Sequence, residues 1–242
     1  MKIIADTHCH TLASGHAYST LTENVKAAKE KGLYAVAVTD HTGDMPGAPH
    51  KWYLGCMHMI PRELYGVKIL RGAEVNIIDK NGTLDVEEDL LVCLDWVVAS
   101  MHDFVSPMYN DVDACTNAWL NVAKNPHVNV IGHSGVEHYK YDYERVIPEF
   151  GRNGKLVEIN NSSFKIRKTA AENCKTIAKL CKKYNVPVIL NSDAHFHANI
   201  GNVDSSIKLL EEIGFPEELI VNANIDRFND YLKKYTNYFI YE

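Results

Sequence analysis

Almost every short apolar run in this chain ends on a histidine or a carboxylate. The runs at 2–6, 34–39, 67–71, 95–100, 128–132, 156–160 and 186–191 are rich in Val, Ile, Leu and Ala, as strands buried on both faces are. His8 and His10, His41, Glu74, His102, His133, and Asp193 with His195 follow these runs. A strand alternates its side chains, so in Asp6-Thr7-His8-Cys9-His10 the two imidazoles share one side and Cys9 takes the other. Metal-binding side chains delivered by the ends of many strands describe a metal centre at the mouth of a barrel.

Helical patterns separate the runs. The segment 21–31 opens on Thr20-Leu21-Thr22-Glu23, a capping box, and stops at Gly32. Segments 112–124, 141–150, 170–184, 204–213 and 224–235 continue the alternation, and a further apolar run at 218–222 reads as an additional strand. Strand–helix alternation predicts an α/β fold with a parallel sheet covered by helices. Seven or eight units close it into a barrel, and an open doubly wound sheet is the alternative. Donors spread over the whole chain converge more easily in the closed form. At 242 residues without a linker or repeat, one domain over 1–242 is expected. No Gly-rich phosphate-cradling motif is present.

A formal charge of -6 argues against long nucleic acid or an anionic membrane as partner. The start Met1-Lys2-Ile3-Ile4-Ala5-Asp6 reaches an acid before any long apolar run, so a cytoplasmic location is expected. Six cysteines without a Cys-x-x-Cys pair fit neither a disulfide scaffold nor a zinc ribbon.

Any one of the 12 histidines is more often a surface or hydrogen-bonded residue than a ligand. Position at strand ends changes those odds. Neutral imidazole suits Zn, Mn or Fe, and carboxylates such as Glu74 and Asp193 can bridge two cations. The donors are too many for one tetrahedral ion, so two or three clustered metals are expected, an arrangement suited to phosphoryl transfer to water.

The segments Asp6-Thr7-His8-Cys9-His10-Thr11, Ala13-Ser14-Gly15-His16-Ala17-Tyr18-Ser19-Thr20, Thr39-Asp40-His41, Gly72-Ala73-Glu74-Val75-Asn76, Ile159-Asn160-Asn161-Ser162-Ser163-Phe164 and Ser192-Asp193-Ala194-His195, taken in order, resemble the PHP (polymerase and histidinol phosphatase) superfamily. They look most like its stand-alone phosphatases with a trinuclear zinc site. The resemblance implies a distorted seven-stranded (β/α) TIM-like barrel and three divalent ions, Zn first and Mn or Fe next. His8 and His10 would hold one metal with Glu74 and Asp193. Glu74 would bridge to a second held by His102 and His133, and His16, His41 and His195 would hold the third. The segment Gly132-His133-Ser134-Gly135 departs from the family's His-Pro-Gly, for which a local loop change with the ligand retained is expected.

Asp6 and Asp40 are candidates for orienting the ligating imidazoles, though aspartates at strand ends also cap turns. Arg71, Arg167, Lys168 and Lys51 with His50 are candidate contacts for a substrate phosphate, Arg167 foremost because it follows the Asn160-Asn161-Ser162-Ser163 loop. His58, His127, His138 and His197 are placed outside the metal set. The aromatic stretch 235–241 is expected to pack on its own barrel, with a neighbouring copy in a homo-oligomer as the alternative.

The resulting expectation is a metal-dependent phosphatase acting on a small phosphomonoester, with a metal-activated hydroxide attacking phosphorus. A phosphodiesterase or exonuclease on short nucleotides and a non-catalytic metal-binding regulatory module are the alternatives.

Overall fold

The computed structural model describes residues 1–166 and 170–239. Its strands are β1 (Ala5–Asp6), β2 (Ala35–Val38), β3 (Glu63–Leu64), β4 (Val67–Asn76), β5 (Trp96–Ser100), β6 (Val130–Ile131), β7 (Leu156–Asn160) and β8 (Val188–Asn191). The helices are α1 (Leu21–Glu30), α2 (Trp52–Gly55), α3 (Glu88–Leu91), α4 (Val112–Lys124), α5 (Tyr143–Arg152), α6 (Ser163–Ile166), α7 (Ala170–Tyr184), α8 (Asp204–Glu212) and α9 (Ile225–Tyr235). Seven strands pair in the order β1-β2-β4-β5-β6-β7-β8, all in parallel, and β3 folds back antiparallel on β4. This is the nearly closed TIM-like barrel, and the open sheet is set aside.

Helix starts follow local chemistry. Thr20 Oγ1 accepts from Glu23 N at 3.2 Å while Glu23 Oε2 accepts from Thr20 N at 2.7 Å, a complete capping box. Asp111, Asp142 and Asn224 cap α4, α5 and α9 through side-chain oxygens.

The barrel closes between β8 and β1 through asparagine side chains and a single backbone bridge, Cys9 to Ala194, instead of a ladder. Asn222 Nδ2 donates to Ala5 O at 2.8 Å and Leu190 O at 2.7 Å, and its Oδ1 accepts from Leu190 N at 3.2 Å. Higher up, Asn191 Oδ1 accepts from the Thr7 N–H and hydroxyl at 2.8 and 2.9 Å. The run at 218–222 is therefore not a strand. It forms two 3-10 turns, Glu217–Leu219 and Val221–Ala223, with a single bridge from Ile220 to Val188. Turning there lets the Asn222 amide reach both flanking strands.

Inside the barrel, Ala35, Ala37, Leu70, Trp96, Val98, Val130, Leu156 and Ile189 form an apolar floor. Phe228, Tyr231 and Leu232 of α9 pack beneath it, together with Tyr238. The described part of the aromatic tail, up to Phe239, thus packs on its own chain. With the period of two, the inward rows climb from Leu70 to Glu74 and Asn76, from Val98 to Ser100 and His102, from Leu156 to Glu158, and from Ile189 to Asn191 and Asp193. Apolar at the bottom and polar at the top, these rows deliver the site.

Candidate metal centre

A cavity of about 350 Å³ opens at the carboxyl ends of the strands, lined by His16, His41, Met45, Glu74, His102, His133, Ser162, Ser163, Asp193 and His195. His8 and His10 lie beneath, fully buried. Glu74 stands at the middle. It lies inside β4, opposite Val98 of β5, because β4 continues to Asn76 past the apolar run that marked it in sequence. Gly72 makes this continuation close-packed: a Cβ there would sit 2.3 Å from Trp96 O.

Four donors surround one point. His8 Nε2 lies 3.3 Å from Glu74 Oε1 and 3.7 Å from Asp193 Oδ1, and His10 Nε2 lies 3.5 Å from Glu74 Oε2 and 3.2 Å from Asp193 Oδ1. Donors held about 2.1 Å from a tetrahedral ion stand about 3.4 Å from one another, so these spacings fit a divalent cation. On the other side of Glu74, His102 Nε2 is 3.4 Å and His133 Nε2 2.9 Å from Oε1, and His41 Nδ1 is 2.9 Å from Oε2. Among the described residues, donor atoms fall into three groups within 4.8 Å: His8, His10, Asp193; His41, Glu74, His102; and His10, His41, His195. The third group contains His10 where the resemblance implies His16, whose Nε2 instead meets His41 Nε2 at 3.2 Å.

Neighbouring groups accept the outward N–H of three rings, turning the other nitrogen of each toward the centre. His8 Nδ1 donates to Glu158 Oε1 at 2.7 Å. His102 Nδ1 donates to Asn76 Oδ1 at 2.7 Å, and the Asn76 amide is itself oriented by donation to Thr42 O and Asp85 Oδ2. Ser14 gives its hydroxyl proton to Asp40 at 2.7 Å, so His10 Nδ1, 3.4 Å away, donates to Ser14 Oγ. The inward nitrogens His8 Nε2, His10 Nε2 and His41 Nδ1 are buried beside carboxylate oxygens of Glu74 and Asp193 without a well-formed hydrogen bond to them. Buried polar atoms are seldom left so, and a cation is the partner that this donor set suits.

The electrostatics agree. Burial pushes the His8 imidazole down, but Glu158, Glu74 and Asp193 overcome it and raise its pKa well above the usual value. Burial likewise opposes charge on Glu74, yet the His8, His102 and His41 rings hold its carboxyl well below the carboxylate range. His10 is pushed down to about 3 by burial, then by His41. His133 and Asp193 have φ of 23° and 53°, left-handed conformations that cost strain in non-glycine residues.

The other candidates lie elsewhere. Asp6 makes no hydrogen bond to an imidazole among the described residues; its Oδ1 accepts from Ser192 N at 3.1 Å and its Oδ2 from Gly201 N at 2.7 Å, fastening β1 to the loop after β8. Asp40 acts on His10 only through Ser14, and also accepts from Thr11 and from the Tyr53 hydroxyl at 2.6 Å. Arg71 lies away from the cavity, its guanidinium donating to Ile60 O. Lys51 is exposed and faces Glu87 at 3.4 Å. Arg167 and Lys168 lie outside the described residues. Glu158, which orients His8, was missed by sequence reasoning. Its signal was an acid amid Leu156, Val157 and Ile159, a charge that a buried strand must pair.

Comparison with known proteins identifies a family and a shared fold. A family model described as PHP domain matches residues 6–242. A probable phosphatase of Thermoanaerobacter sp. (strain X514) is 44% identical over 235 residues, covering 97% of this chain and 96% of the relative. One from Acetivibrio thermocellus is 45% identical, covering 97% of each. A crystal structure of histidinol phosphate phosphatase from Lactococcus lactis, complexed with zinc, L-histidinol and phosphate, superposes with a TM-score of 0.61 at 15% identity, covering 89% of this chain and 95% of that one.

Proposed function

The chain belongs to the PHP domain family, and from that membership we propose that it is a metal-dependent phosphomonoesterase with a multinuclear centre. The observation that carries the proposal is the set of buried nitrogens on His8, His10 and His41 that crowd around Glu74 without a well-formed hydrogen bond.

His8, His10, Glu74 and Asp193 would hold one ion, Glu74 with His102 and His133 a second, and His16, His41 and His195 a third, His10 standing close enough to the last group to share it. Bound divalent cations supply Lewis acidity toward phosphoryl oxygens and an activated water. The protein's part is orientation: Glu158, Asn76 and Ser14 hold three imidazoles with their lone pairs inward, and Ser100 donates to Glu74 Oε1 at 2.6 Å. No described residue lining the cavity is Lys or Arg. A phosphate dianion there has its charge met by what the histidines and carboxylates hold, which favours a metal-dependent reaction. The relatives named as probable phosphatases support the same reading.

The test is phosphate release from p-nitrophenyl phosphate by protein stripped of metal and reloaded with zinc or manganese, beside His102→Ala. The expected result is turnover that depends on reloading and collapses in the variant. Equal background in both, with metal bound to the parent, overturns the proposal.

A further inference from the structure

A second cavity, of about 240 Å³, adjoins the central one and shares Ser162, Asp193 and His195 with it. Beyond that shared wall it is lined by Asn161, Asn199 and Asn202, with Ser192. The geometry points to this side pocket as the seat of the alcohol half of the substrate, and we infer that this half is a small, uncharged, hydroxyl-rich unit such as a sugar or polyol. The inference rests on the phosphomonoesterase reading and deepens it.

Three observations carry it. The first is position: a phosphoryl group beside Asp193 and His195 has its ester oxygen within reach of the side pocket, because those residues form the partition. The second is unused hydrogen-bonding capacity. Asn161 Oδ1 accepts from Ser205 N at 3.0 Å and Ser206 N at 3.2 Å, which points its NH₂ away from those donors. The amides of Asn199 and Asn202 make no side-chain hydrogen bond among the described residues, although their backbones are tied by Asn202 N to Asn199 O at 3.0 Å. Primary amides that both donate and accept match hydroxyl groups, which do the same.

The third observation is chemical selectivity. Apart from Asp193 and His195, no described residue of this pocket is charged or aromatic. The one ring among its described lining residues, His195, is already stacked on His10 and His16, so a nucleobase or aryl group finds no free ring to stack on there. An ammonium-bearing alcohol finds no carboxylate of its own, since Asp193 faces His10 and accepts from Asn160 Nδ2 at 3.1 Å. Sites built to hydrogen-bond hydroxyls discriminate strongly against analogues that lack them.

The experiment compares zinc-loaded parent and the double variant Asn199→Ala, Asn202→Ala on ribose 5-phosphate, histidinol phosphate and p-nitrophenyl phosphate. Asn199 is exposed and Asn202 half-buried, and an unchanged melting temperature checks that the variant folds. The expected result is a kcat/KM ratio of ribose 5-phosphate to p-nitrophenyl phosphate that falls about tenfold in the variant, the size of two lost neutral hydrogen bonds. A ratio unchanged within about twofold by that same criterion, or histidinol phosphate preferred over ribose 5-phosphate by the parent, overturns the inference while leaving the phosphomonoesterase reading intact. If the metal-loaded parent turns over none of the three esters, the reading itself fails and takes the inference with it.

Discussion

Glu158 accepts the Nδ1–H of His8 at 2.7 Å, and both side chains are buried. The same carboxylate receives His133 N at 2.7 Å, Asn160 Nδ2 at 3.1 Å and Asn191 Nδ2 at 2.9 Å, so each of its four hydrogen-bond partners among the described residues is a donor. It therefore orients one imidazole, shapes the strained turn at His133 and makes His8 a more basic donor toward the centre.

Glu158→Gln follows directly. An NH₂ on either side of the new amide faces donors, and the negative charge behind His8 is lost. Zinc affinity is expected to fall by about 10- to 100-fold, measured by competition with a chelator of known affinity. Parent-like affinity in the variant would show that Glu158 is only packing.

Asn222 is the rivet of the barrel seam. Asn222→Ala leaves Ala5 O and both polar groups of Leu190 without their partner in a buried place, and is expected to lower stability by about 3 kcal/mol. Asn222→Asp is expected to be worse, because a carboxylate would face two carbonyl oxygens. Urea unfolding of the two variants checks both the loss and its order.

Lys155 carries a pH dependence that can be isolated. Its Nζ donates to Val128 O at 2.7 Å, and burial pushes its pKa down from 10.5 to about 8. Below pH 8 both folded and unfolded chains hold the proton, and the folded one bears the burial cost. Between pH 8 and about 10.5 the folded chain has released it while the unfolded chain keeps it, so this group's contribution to stability rises with pH. Relative to Lys155→Met, the parent is therefore expected to gain stability from pH 8 to 10, as read by urea unfolding at each pH. A parallel pair of curves would refute it.

Chelation is expected to lower the melting temperature, since ions that bind only the folded chain stabilise it by RT ln(1 + [L]/Kd), about 2.7 kcal/mol at 100 times Kd. Calorimetry with and without excess zinc measures this, and the shift is expected to shrink in Glu74→Gln.

Much of this architecture was legible in the sequence because the barrel's strands are short apolar runs with polar ends. The capping box at Thr20 and the helix at 170–184 appear where local chemistry put them. Less legible was what depends on tertiary context. The strand β4 runs on to Asn76 because Gly72 allows close contact with β5, so Glu74 is a strand residue instead of one following it. The run at 218–222 has strand composition, but its job is to present Asn222 to two strands, which no local pattern announces. Asp6 looks like a partner for histidine by adjacency, yet its neighbours in space are Ser192 and Gly201, 186 and 195 residues away. Glu158 sat in plain view inside an apolar strand, and only the fold reveals that His8 is its partner.

The most direct test is anomalous diffraction at the zinc edge from crystals of the metal-loaded protein. The arrangement of Glu74, His8, His10 and Asp193 predicts a strong peak among those four side chains, with further peaks on the His102 and His195 sides of Glu74. Zinc found only at surface histidines such as His58 or His127, with none beside Glu74, would contradict it.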